Sequence, residues 1–181
     1  NFEQFSIIGL NAAIVGDNSY FGITSPLSGF RYRLGITHYT GDYNFGTLTA
    51  DVRRYIRTAP FTFAFRALSS TRFGADQDNI IGQFIGYPYF IRGYEANSFY
   101  KRGGNSVDGF GIDQLVGTKI AVANFEVRLP FTGPERLTAI ESKYLFSDLN
   151  AFFDIGLAYN RNSTVAFRRE PRLIQSGVDP T

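Results

Sequence analysis

Long runs with a strict two-residue period constrain this chain more than any other feature, because successive side chains of a β-strand point to opposite faces. In "FRYRLGIT", Phe30, Tyr32, Leu34 and Ile36 share one face, and Arg31, Arg33, Gly35 and Thr37 share the other. After the turn "YTGDY", Leu48, Ala50, Val52 and Ile56 oppose Thr47, Thr49, Asp51, Arg53 and Tyr55. "PFTFAFRALSS" sets Phe61, Phe63, Phe65 and Ala67 against Thr62, Ala64, Arg66 and Ser70. Further on, "TKIAVANFEVRLPF" groups Ala121, Ala123, Phe125, Val127 and Leu129 opposite Asn124, Glu126 and Arg128. "NAFFDIGLAYN" sets Phe153, Ile155, Leu157 and Tyr159 against Phe152, Asp154, Gly156 and Ala158. "FSIIGLNAAIVG" fits less cleanly, with Ile8, Leu10, Ala12 and Ile14 as its apolar face. Most of these strands run to about ten residues or longer, the length a tilted strand needs to cross a bilayer, whereas strands of soluble domains average roughly five or six.

Composition agrees with an all-β chain: 19 Phe, 11 Tyr and 19 Gly, with no Trp, Met or Cys, favour strands and tight turns. The 181 residues suffice for a single domain with a sizeable core, and nothing between positions 1 and 181 marks a boundary. With 18 basic and 16 acidic residues the net charge of +2 is too small and too mixed for a polyanion partner, so nucleic acid is not expected. The absence of cysteine removes disulfides, thiol chemistry and cysteine metal sites without fixing a compartment. No run approaches the roughly 18 consecutive apolar residues of a membrane-spanning helix, and no signal peptide opens the chain. A start at Asn1 and a stop after "SGVDPT" suggest a processed or partial chain.

The connections carry information as well. Outer-membrane barrels gather long loops on one side and short turns on the other. Here the segment from about 73 to 114 lacks clear periodicity, which in a compact domain marks function or disorder. "GPERLTAIES" could form a short helix with Pro134 near its first turn, or an irregular turn. A soluble ligand-binding barrel alternates in the same way with its oily side inward. The many arginines and acids of the polar face argue against that alternative, since a small closed interior hydrates them poorly.

Within the long loop, "FIRGY" (Phe90, Ile91, Arg92, Gly93, Tyr94) resembles the Val/Ile-Arg-Gly-Phe/Tyr signature of the sixth extracellular loop in the BamA/TamA outer-membrane superfamily, surface-antigen type. Three further stretches are similar to that family and follow its order. They are "GDNSYFGITSPLSGFR" for its Asp-rich, Pro-x-x-Gly turn, "ANFEVRLPF" for its Glu-x-Arg-x-Pro strand and "FFDIG" for its Phe-x-Asp-x-Gly strand. The resemblance spans about Phe5 to Asn160 and implies that the six strands are the eighth to thirteenth of a sixteen-stranded antiparallel transmembrane β-barrel. It also implies that the signature loop folds into the lumen, where Arg92 meets Glu126 and Asp154 on the inner wall. Gly93 would then permit a positive φ or a close backbone approach, and Phe90 and Tyr94 would pack the loop tip. The bland alternative is that Arg92 is a solvated loop arginine and that Glu126 and Asp154 only line a wet lumen.

Other candidates are weaker. His38, the only histidine, lies near a strand end, where an interfacial or solvated role outweighs general base. "DQDN" (Asp76 to Asn79) clusters oxygens but lacks the glycine and distal glutamate of a calcium loop. The glycines of "KRGGNSVDGFG" do not open a helix after a strand, which argues against a phosphate cradle. "FRREPR" could contact lipid head groups or an acidic partner, though a wet surface suffices. The resemblance thus implies an outer-membrane location and a barrel that inserts or translocates polypeptides, with no catalytic residue, cofactor or metal. Its partners would be outer-membrane lipid, client polypeptides and periplasmic or lipoprotein components. A passive pore or anchor is the alternative on the same architecture, and six strands alone do not close a barrel, since about eight are needed.

Overall fold

The computed structural model describes residues 6–93 and 115–160, and these are all-β, without a helix. In chain order the strands are β1 (Ile7–Asp17), β2 (Tyr20–Phe21), β3 (Pro26–Gly41), β4 (Phe45–Thr58), β5 (Phe61–Phe73), β6 (Gln83–Phe84), β7 (Val116–Gly117), β8 (Lys119–Gly133), β9 (Ile140–Glu141) and β10 (Ser147–Tyr159). The six long ones, of 11 to 16 residues, pair antiparallel in the order β1-β3-β4-β5-β8-β10. Short β2 adds to β3, and β9 runs parallel to β8. Within the described residues the sheet is open, with β1 and β10 at its edges.

Register keeps the two-residue period in phase across all six strands. One row reads Ile14, Leu34, Ala50, Ser69, Ala121, Leu157. A row on the opposite face reads Arg31, Arg53, Arg66, Asn124, Asp154. Large apolar side chains remain open to solvent across the first face, including Leu34 (45%), Leu48 (53%), Phe65 (44%) and Phe153 (64%). The second face is covered in part by the segment between β5 and β8.

The described residues of that segment, 74–93 and 115–118, are more ordered than its lack of period suggests, because β6 and β7 close a two-stranded ribbon and Ile85 N–H donates to the Leu115 carbonyl at 2.9 Å. Beneath it lies the core, built from Ile85, Ile91, Leu115, Ile120 and Val122, with Leu68, Phe84, Phe90 and Ala158 packed around it. Leu68, Ile120 and Val122 occupy polar-face positions, so the wall turns apolar where the segment covers it. The stretch after Pro134 is not a helix: a single turn (Leu137 N–H to the Pro134 carbonyl, 2.9 Å) is followed at once by β9. Ala139 and Ser142 N–H groups bond back to the Pro130 and Gly133 carbonyls, and this return to β8 outcompetes helix propagation.

At the end of the sheet that carries the β4–β5 turn, Ser25 Oγ donates to Asp148 at the start of β10 (3.0 Å), and Thr24 bonds to the same carboxylate. A flat sheet would hold β3 and β10 roughly 19 Å apart, four spacings of about 4.8 Å. Leu27, Thr132 and Asp148 line this contact on the covered face, so that face is the concave one.

Aromatic rings lie over glycines on neighbouring strands. A Cβ added at Gly46 would overlap the Phe73 ring of its cross-strand partner, and one at Gly16 would overlap the Tyr32 ring. Such pairs cover backbone that a side chain would otherwise protect. We expect Gly46→Val to displace Phe73 and cost about 1–3 kcal/mol, read as a lower denaturation midpoint. An unchanged midpoint would show that the ring does not lie there.

Candidate functional site

Arg92 sits at the end of the described part of the loop, just beyond a turn in which the Phe90 and Ile91 N–H groups donate to the Tyr87 carbonyl (2.9 and 3.1 Å). This turn rests on the covered face because Ile91, 8% exposed, drops into the core. Gly156 makes room for it: a Cβ at that position would lie 3.1 Å from Ile91 Cγ1, with Cδ1 closer still. Asn124 adds a polar tie, donating its Nδ2 to the Phe90 carbonyl at 2.9 Å.

The guanidinium then reaches two strands. Arg92 Nε and Nη2 form a fork on Asp154 of β10 (2.8 and 2.6 Å), and its backbone N–H donates to the same carboxylate at 2.9 Å. Its Nη1 bonds to Glu126 Oε1 of β8, whose other oxygen accepts from Arg128 Nε at 2.6 Å. The Phe152 ring lies 4.2 Å from the guanidinium carbon. The Asp154 side chain is 2% exposed and that of Arg92 30%, so the carboxylate is desolvated while the cation keeps some water. Hydrogen bonds to Asp154 raise the Arg92 pKa above its already high value, against the opposing effect of burial. The cation is permanent.

A second arginine fastens the loop from the other side. Arg66 of β5 donates Nη1 to the Tyr89 carbonyl at 3.0 Å and lies 4.4 Å from the Tyr89 ring centroid. Asp51 of β4 holds both Arg66 (3.2 and 2.9 Å) and Arg53 (3.1 and 2.9 Å). A polar cleft of about 280 Å³ between loop and wall, lined by Arg53, Arg66, Tyr89, Arg92, Glu126 and Arg128, keeps these groups partly wet.

No model of a known protein family and no curated protein matches this chain.

The structure brings Phe90, Ile91, Arg92, Glu126 and Asp154 together on the covered face, while Tyr94 lies outside the described residues. Of the two roles open to Gly93, positive φ holds (+89°), because a Cβ there would touch nothing within 4 Å. Sequence reasoning missed the contributions of Phe152, Gly156, Asn124 and the Asp51–Arg66–Tyr89 set. Phe152, Asp154 and Gly156 all lie on one face of β10 and meet residues 91 and 92, so the motif spacing itself held the signal. Elsewhere, Asp76 is taken up by structural contacts, accepting from the Asn44 N–H of the β3–β4 turn (2.8 Å) and from Asn79 Nδ2 of its own turn (2.9 Å). His38 is exposed on β3, and the "KRGGNSVDGFG" and "FRREPR" stretches lie outside the described residues.

These contacts generate a double-mutant test. Truncating a partner in a dry pair costs roughly 3–5 kcal/mol. Because Arg92 keeps water, we expect a coupling of about 1–3 kcal/mol between Arg92→Ala and Asp154→Ala, measured as protection of the loop from proteolysis. Arg92→Lys should not restore protection, since an ammonium lacks the planar fork. Additive single-variant effects would refute the pairing. Gly93→Ala should loosen the same loop by about 1 kcal/mol through its left-handed φ alone.

Proposed function

We propose that this chain is part of the wall of a transmembrane β-barrel in a Gram-negative-type outer membrane, similar to BamA/TamA barrels that insert or translocate polypeptides. The observation that carries this reading is the fork of Arg92 across Glu126 and Asp154, which fastens a loop to the concave, charged face of a long-stranded antiparallel sheet. Strands of 11 to 16 residues and an outer layer of Phe, Leu, Ile and Val, exposed on five of the six long strands, support it. A soluble binding barrel would bury those same side chains in its interior.

In this reading the remaining strands come from further chain or from another polypeptide, and lipid covers the exposed apolar face. The fastened loop narrows the lumen and holds its shape while client segments pass or pair. Such work uses backbone hydrogen bonding at strand edges and needs no cofactor.

Depletion of the intact protein from its host tests the activity. We expect other outer-membrane barrels to accumulate unfolded in the periplasm. Normal assembly of those barrels with altered permeability alone would leave a passive pore or anchor. The architecture has its own test: the purified protein should need detergent or lipid to stay folded, and a folded monomer in plain buffer would contradict a lipid-facing surface.

A further inference from the structure

Along the six long strands the exposed apolar face carries two formal charges, Arg54 and Lys119, and no acid. Lys119 lies near the loop end, in register with Thr71 and Tyr159. Arg54 lies inside the apolar field. Its cross-strand neighbours are Phe30 and Phe65, and the same row continues through Phe125 and Phe153. Along its own strand it sits between Val52 (45% exposed) and Ile56 (43%). Arg54 is itself exposed, and no ion pair or hydrogen bond holds it among the described residues. The acids of the long strands, Asp17, Asp51, Glu126, Asp148 and Asp154, face the other side of the sheet.

We propose that Arg54, flanked by Phe30 and Phe65, is a head-group site for the phosphate of an anionic phospholipid. The inference rests on the membrane reading above and adds a specific lipid contact to it. A cation on a lipid-facing strand is poorly tolerated at mid-bilayer and well tolerated near the interface, where a long side chain can extend to the head groups. Arg54 stands four residues before the end of β4, roughly 13 Å along the strand from the β4–β5 turn. The long loop leaves the sheet at the opposite end, so by the usual asymmetry of such barrels the turn end faces the periplasm and its phospholipid leaflet. The guanidinium fork matches two phosphate oxygens, and the flanking rings suit the boundary between acyl chains and head groups. With no carboxylate on this face, the phosphate supplies the missing counter-charge.

The test measures lipids retained by the intact protein in native mass spectrometry, from mixed micelles of phosphatidylglycerol and phosphatidylcholine. We expect phosphatidylglycerol to be preferred by about fivefold, the factor one cation near an anionic surface contributes. Arg54→Gln should abolish the preference, Arg54→Lys should keep part of it, and Lys119→Gln should leave it intact. Circular dichroism of each variant checks that the β-structure is retained. Equal retention of both lipids by the unaltered protein, or an unchanged preference in Arg54→Gln, overturns the site while leaving the barrel reading standing. Failure to enter vesicles of either lipid overturns the membrane reading and this site with it.

Discussion

One guanidinium joins the two parts of this molecule. Arg92 belongs to the segment between β5 and β8, and its partners Asp154 and Glu126 belong to β10 and β8. Both acids reach it only because the register of β8 on β10 sets Asn124 opposite Asp154 and Glu126 opposite Phe152. A one-residue slip would turn Asp154 to the apolar face and leave a carboxylate among Phe and Leu side chains, a large cost without a partner. Loop attachment and sheet register are therefore one constraint. The attachment does not rest on charge alone, since Ile91 sinks into the space above Gly156 and Arg66 holds Tyr89.

The sheet consequently has two unlike faces. On the concave side, the small apolar core of Ile85, Ile91, Leu115, Ile120 and Val122 gives way to a field of arginines and acids toward the turn end. On the other side, large apolar side chains stand exposed on β1, β3, β4, β5 and β10, with Phe125, Val127 and Leu129 of β8 half-buried between them. A water-soluble sheet arranges these faces the other way round, with its large apolar residues covered. In the proposed membrane reading, lipid on the apolar face and water on the charged one resolve the conflict.

Much of this arrangement could be read from the sequence because a two-residue period is unambiguous over ten residues or more. Phe61, Phe63 and Phe65, or Asn124, Glu126 and Arg128, leave no choice of face. What escaped was whatever departed from that period. Leu68, Ile120 and Val122 are apolar residues in polar-face phase, and they mark the patch of wall that the loop covers. Arg54 is their converse, a cation in apolar phase that the alternation around Val52 and Ile56 obscures. The ribbon of β6 and β7 has no period because it is two residues long on each side. The turn after Pro134 carries a helix-like start, and only its tertiary pairing with β8 decides against a helix. The pairing of Arg92 with two acids came from resemblance to a motif, since no local pattern links positions so far apart.

The claim that the loop is fastened to the wall is tested most directly by a cysteine pair, which the absence of native cysteine makes clean. Ile91→Cys and Gly156→Cys should form a disulfide under mild oxidation of the intact protein, because Ile91 fills the space above Gly156. Ile91→Cys with Phe153→Cys, on the opposite face of the same strand, should not. No crosslink in the first pair, or equal crosslinking in both, would contradict the account.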